Sequence, residues 1–141
     1  MKRMLIICIF LLIASGCGQR AQTINPLQVG EEAIVPQHEA DEAKQILLSM
    51  EEILEVVGVS NEKDIYLAPR VKQFDRFHLN DIRKRGHENV KKRFPEYTVH
   101  VSTDKKIFIE LGKLEKELKQ RTISKKRYDA KLKDLEEKMK G

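Results

Sequence analysis

The apolar positions of this chain fall into short periodic groups separated by polar runs. Ala43, Ile46, Leu47, Met50, Ile53, Leu54 and Val57 follow the 3-1-3-3-1-3 spacing of one helical face. They predict a helix over 39–57, with Glu39, Asp41, Glu42, Glu51, Glu52 and Glu55 opposite and Gly58 where a stop is expected. Residues 60–63 then read as a turn. Asp64 to Pro69 reads as a short apolar strand, whose proline argues for a strand end or a sheet edge. Leu79, Ile82, Gly86 and Val90 mark a helix over 75–93, with Asp75 as candidate cap and Phe94-Pro95 as its end. Residues 97–102 alternate as a half-buried strand does. Ile107, Leu111, Leu114 and Leu118 predict a helix over 105–119, a strand start near 106–109 remaining open. Tyr128, Leu132, Leu135 and Met139, at 4-3-4 spacing after a Ser124 cap, predict the last helix.

The order is helix, strand, helix, strand, helix, helix. Strands joined through a helix pair in parallel with a right-handed crossover. The expected class is therefore α/β (α+β): a small two-layer domain over 39–111, followed by a charged helical hairpin over 112–141. The hairpin's apolar stripe must bury against something. Folding back on 107–118 and self-association with a second copy both satisfy it.

The N-terminus changes the picture of where this domain sits. Lys2 and Arg3 precede ten unbroken apolar residues, Leu5 to Ala14, and then Ser15, Gly16 and Cys17. Ten residues fall short of the about 20 needed to span a bilayer, so residues 1–16 read as a signal peptide. Ala14-Ser15-Gly16-Cys17 resembles a bacterial lipobox, which implies transfer of a diacylglycerol to the Cys17 sulfur and cleavage before Cys17. The partner so implied is membrane lipid, with palmitate-like chains holding the protein to the extracytoplasmic face. Residues 17–38, with Pro26, Gly30, Pro36 and no periodicity, read as a flexible tether. Cys8 leaves with the leader, so the mature chain has no pair of thiols for a disulfide.

Composition narrows the function classes. With 141 residues, 35% charged and no Trp, the chain has room for one small core. Large clefted enzymes and polytopic membrane proteins are excluded. The formal charge of +5 falls to +3 once Lys2 and Arg3 are removed, leaving 25 bases against 22 acids. Its layout matters more: residues 31–55 carry eight acids against Lys44, and residues 70–106 carry eleven bases against five acids. Arg76, Arg83, Lys84, Arg85, Lys91, Lys92 and Arg93 are candidate contacts for an anionic surface, either lipid headgroups or wall polymer. Nucleic acid is not an expected partner of an exported protein.

No motif points to catalysis or to a cofactor. His78 and His87, nine apart, fall on opposite helical faces, which is no zinc spacing. Ser102-Thr103-Asp104 before Lys105 and Lys106 reads as a strand end and helix cap rather than an activated hydroxyl. The glycines form no phosphate-binding loop. A rival reading, a wall-acting module, would need Glu96, Asp104 or Glu110 brought together as paired carboxylates in a cleft.

Taken together, the lipobox, the acidic first helix, Asp64-Ile-Tyr-Leu-Ala, Phe74-Asp75-Arg76-Phe77 and residues 95–107 (PEYTVHVSTDKKI) resemble the YhcN/YlaJ-type sporulation lipoproteins of endospore-forming bacilli. The resemblance covers most of the chain, and Val-Ser-Thr-Asp-Lys-Lys is its most specific stretch. It implies a non-enzymatic role in the spore envelope, structural or accessory to sporulation or germination. It brings no catalytic residues.

Overall fold

In the computed structural model, which describes residues 22–141, the first apolar stripe splits in two. Helix α1 is His38–Leu48, with Ala40, Ala43 and Leu47 buried. The chain then turns, and Ile53–Asn61 forms strand β1. A helix running to Val57 is what the spacing predicts, and a strand is what forms. The reason is that Ile-Leu-Glu-Val-Val-Gly-Val is buried on both sides, and a two-sided strand carries no alternation to betray it.

Strand β2, Asp64–Val71, pairs antiparallel with β1, with Gly58 opposite Leu67 and Ile53 opposite Val71. The tight turn places Glu62 at φ 52°. After a 3₁₀ turn, Gln73–His78, helix α2 (Leu79–Arg93) leads to strand β3, Thr98–Val101. As expected for strands joined through a helix, β3 runs parallel to β2, giving the order β1-β2-β3. Pro69 lies beyond the last β3 partner, Leu67, where β2 has only β1 beside it. Asp75 does not cap α2: it lies within the 3₁₀ turn, and His78 occupies the cap position without a side-chain hydrogen bond.

Helices α3 (Lys105–Lys119) and α4 (Lys125–Lys140) complete the order. The Asp104 carboxylate accepts from the backbone N–H of Lys106 and Ile107, and the Ser124 hydroxyl accepts from that of Arg127. Between the two helices Arg121 takes φ 56°, and Thr122 N–H and Arg121 N–H return to the carbonyls of Glu117 and Leu118, as in a Schellman end.

Apolar side chains leave both faces of the sheet. Val56, Ile65, Leu67 and Val99 pack with Ala43 and Leu47 of α1 and with Ile82 and Val90 of α2. Val57, Val59, Tyr66 and Ala68 pack with Leu111, Leu114 and Leu118 of α3 and with Tyr128, Leu132 and Leu135 of α4. The hairpin is therefore not an appendage outside a 39–111 domain. Its stripe, for which a second copy was an open possibility, is buried on the chain's own sheet.

The segment expected to end a flexible tether also belongs to the fold. Val29, Val35 and Gln37 are buried. These residues run along the outer edge of β1, where unpaired backbone groups invite aggregation. Ile24 N–H donates to Leu54 O at 2.8 Å. The Gln37 amide pairs with both the N–H and the carbonyl of Ser60, at 2.9 and 2.8 Å. Glu115 accepts from Gly58 N–H at 2.7 Å. Side chains thus stand in for a missing neighbour strand.

Gly58 is required where it lies. A Cβ there would sit 2.6 Å from the Leu67 side chain and 2.6 Å from the Tyr66 carbonyl oxygen. Gly58→Ala is expected to lower stability by about 1–3 kcal/mol through forced separation of the two strands. Urea unfolding measures it, and an unchanged midpoint would show that the hairpin yields without cost.

Candidate functional site

Cys17 lies outside the described residues. The seven cations predicted as an anionic-surface site all lie within them, and the structure divides them. Arg85 is held between Asp81, at 2.8 Å, and Glu52, whose carboxyl its hydrogen bond draws below the ordinary value of 4.5. Arg93 pairs with Glu42 of α1 and lies over the Phe94 ring, 5.4 Å from its centroid. Lys91 donates to the carbonyls of Pro95 and Tyr97 and closes the end of α2. These three stitch α2 to its surroundings.

Arg76, Arg83, Lys84 and Lys92 are exposed, with no carboxylate at ion-pair distance among the described residues. They do not share one face. Arg83 and Lys84 line a cavity of about 600 Å³ with Asn80 and His87, beside the open edge of β3. Arg76 borders another, of about 670 Å³, between the end of β2 and the start of α3. The buried stripe of α2 is Ile82, Gly86 and Val90. At about 100° per residue, Lys92 lies on the flank away from Arg83.

The 3₁₀ turn holds what the charge pattern did not single out. Phe74 is 91% exposed and Phe77 is 92% exposed, the largest exposures among the large hydrophobic side chains of the described residues. A 3₁₀ turn repeats every three residues, so the two rings project from one side. Lys72 precedes them, and Asp75 and Arg76 lie between them. The sequence signal was present: two phenylalanines three apart, in a segment with no other apolar position to pack against.

The remaining polar clusters are structural. Lys44 is wholly buried, with its ammonium 2.9 Å from both Asp41 and Glu115. Asp41 also accepts from the N–H groups of Val29 and Gly30, and Lys44 donates to Leu27 O. Every member is satisfied by backbone or counter-charge, so the cluster clamps the N-terminal segment to α1 and α3. At the opposite edge of the sheet His100 of β3 stacks on Tyr66 at 4.6 Å and contacts Asp64 at 3.0 Å. Burial, with Asp64 and Glu136 nearby, pushes the Tyr66 hydroxyl well up, so it stays a donor to Glu136.

The carboxylates of the rival reading are each engaged or apart. Asp104 caps α3, Glu110 pairs with Lys138 at 3.1 Å, and Glu96 is exposed in the turn before β3. Among the described residues, no group of three His, Cys, Asp or Glu side chains is placed to hold a metal, and no helix is long and apolar enough to cross a membrane. Compared with protein-family models, curated proteins and solved structures, the chain matches none.

Proposed function

We propose that this chain is a lipid-anchored, non-enzymatic envelope protein of a spore former, with a structural or accessory role in sporulation or germination. The anchor is carried by one observation: ten apolar residues run into Ala14-Ser15-Gly16-Cys17, a small-residue approach to a cysteine. Two or more acyl chains, each buried CH₂ contributing about 0.8 kcal/mol, hold such a protein at a membrane without a span. The spore assignment draws on the likeness of residues 95–107 to sporulation lipoproteins. In the fold that stretch is a joint, in which β3 ends and Ser102 and Asp104 bond the backbone into α3.

Cys17→Ala is expected to move the protein from the detergent phase to the aqueous phase in a Triton partition of whole cells. Retention in the detergent phase would remove the anchor. Expression timing tests the other half: synthesis confined to vegetative growth would remove the spore role and leave the anchor standing.

A further inference from the structure

We infer that Phe74 and Phe77 form a wedge that enters the headgroup region of an anionic membrane, docking the folded unit on the surface to which its lipid tethers it. The inference deepens the anchor reading, and rests on it only for placing a membrane nearby.

Three observations meet at one end of the molecule. Two rings more than nine-tenths exposed project from one side of the 3₁₀ turn, touching almost nothing of their own chain. Lys72 precedes them and Arg76 lies between them; with Asp75 counted, residues 72–78 carry a net charge of +1. Beside it, the cavity that includes Arg76 and Lys105 also exposes Ile109, which extends the apolar surface.

The tether arrives at the same end. Ile24 is bonded to Leu54 at the start of β1, and Lys72 N–H donates to Glu52 O at 2.8 Å. Since Ile53 pairs with Val71, the N-terminal segment and the 3₁₀ turn leave the same end of the β1–β2 hairpin. Ile24 and Val71 flank β1 on its two sides, about 10 Å apart at two inter-strand spacings. Ile24 is seven positions along the chain from Cys17, a reach of at most about 25 Å. A lipid on Cys17 therefore brings this end of the sheet, and not the Glu62 turn, toward the bilayer.

The shape favours a bilayer over a protein. A folded partner would need a ready pocket for each projecting ring. The deformable interface of a membrane takes both without one, while Lys72, Arg76 and Lys105 meet its anionic headgroups.

The test uses the chain from residue 18 onward, which lacks the lipid and so separates this inference from the anchor. It should sediment with vesicles of phosphatidylglycerol and phosphatidylcholine, and much less with phosphatidylcholine alone. Phe74→Ser with Phe77→Ser should weaken partitioning by at least about tenfold per ring. Because the protein has no Trp, Phe74→Trp and Phe77→Trp each add a single reporter, whose emission should shift to the blue on vesicle addition. The reporters keep the test valid even where the serine variants fold poorly. Unchanged partitioning of the double serine variant, or vesicle binding without a spectral shift, overturns the wedge. So does binding to soluble teichoic acid in preference to vesicles, which would identify wall polymer as the partner.

Discussion

Replacing Lys44 with Met is expected to lower the unfolding free energy by about 3–5 kcal/mol, a large share of the roughly 5–15 kcal/mol that holds a typical domain. The methionine fills nearly the same volume, so the loss is electrostatic. The Lys44 ammonium is fully enclosed and lies 2.9 Å from Asp41 and from Glu115. Without it two buried carboxylates face each other across the space it filled. The N–H groups of Val29, Gly30 and Gly58 still bond them but supply no counter-charge. The first structural consequence is release of residues 24–37 from the edge of β1.

The same variant carries a pH signature. Burial raises the Glu115 carboxyl above its ordinary 4.5, while Lys44 and the Gly58 N–H pull it back down. A carboxyl whose folded value exceeds its unfolded one favours folding when protonated. Its contribution is therefore complete below about 4.5 and is lost as pH rises through the folded value. Removing Lys44 removes the largest opposing influence, so the variant should lose stability more steeply than wild type between mildly acidic and neutral pH. Adding Glu115→Gln should recover part of the loss, because the amide oxygen still accepts from Gly58. Urea titrations at the two pH values measure all of this. A wild-type midpoint with a flat pH profile for Lys44→Met would show that the clamp contributes nothing.

Lys44 also marks where sequence reading stops. In the linear pattern Lys44 interrupts an acidic, solvated face, and Glu115 is one charge among many on α3. Only the approach of elements 71 residues apart turns them into a buried pair. Of the helices with one apolar face, α3 and α4 were legible almost to the residue, and α2 from Leu79 onward but not at its start, where a 3₁₀ turn replaces the predicted first turn; half-burial writes a period into the sequence. β2 and β3 were legible from their short apolar runs and the helix between them. β1 was not, because burial on both faces erases alternation. Residues 29–37 were not either: Asp41, Lys44, Gln37 and Glu115 hold that region against β1 through side chains, which leaves no pattern in the segment itself. Of the candidate cations, charge density located all seven but could not tell Arg85, Lys91 and Arg93, bound to neighbours, from Arg76, Arg83, Lys84 and Lys92. The exposed rings were visible as residues but not as a surface, since exposure belongs to the fold.

Tyr128→Ala should cost about 3–5 kcal/mol, comparable to the loss of Lys44 but by another route. Tyr128 is fully buried, packed among Val59, Tyr66 and Leu132, and its hydroxyl donates to Ser60 O at 2.7 Å. Truncation empties a ring-sized volume between α4 and the sheet and strips one of the groups that guard the β1 edge. Tyr128→Phe keeps the ring, and the Gln37 amide still reaches Ser60 O at 2.8 Å, so its cost should be only about 1 kcal/mol. The contrast between the two variants separates packing from hydrogen bonding. It also decides whether the closing helices are one cooperative unit with the sheet. If they are, Tyr128→Ala lowers hydrogen-exchange protection at Val57 and Val59 of β1 along with α4, in a single unfolding transition. If α4 were a separate appendage, the substitution would free α4 alone and leave β1 protected. The burial of Val57, Val59, Tyr66 and Ala68 beneath α3 and α4 requires the first outcome.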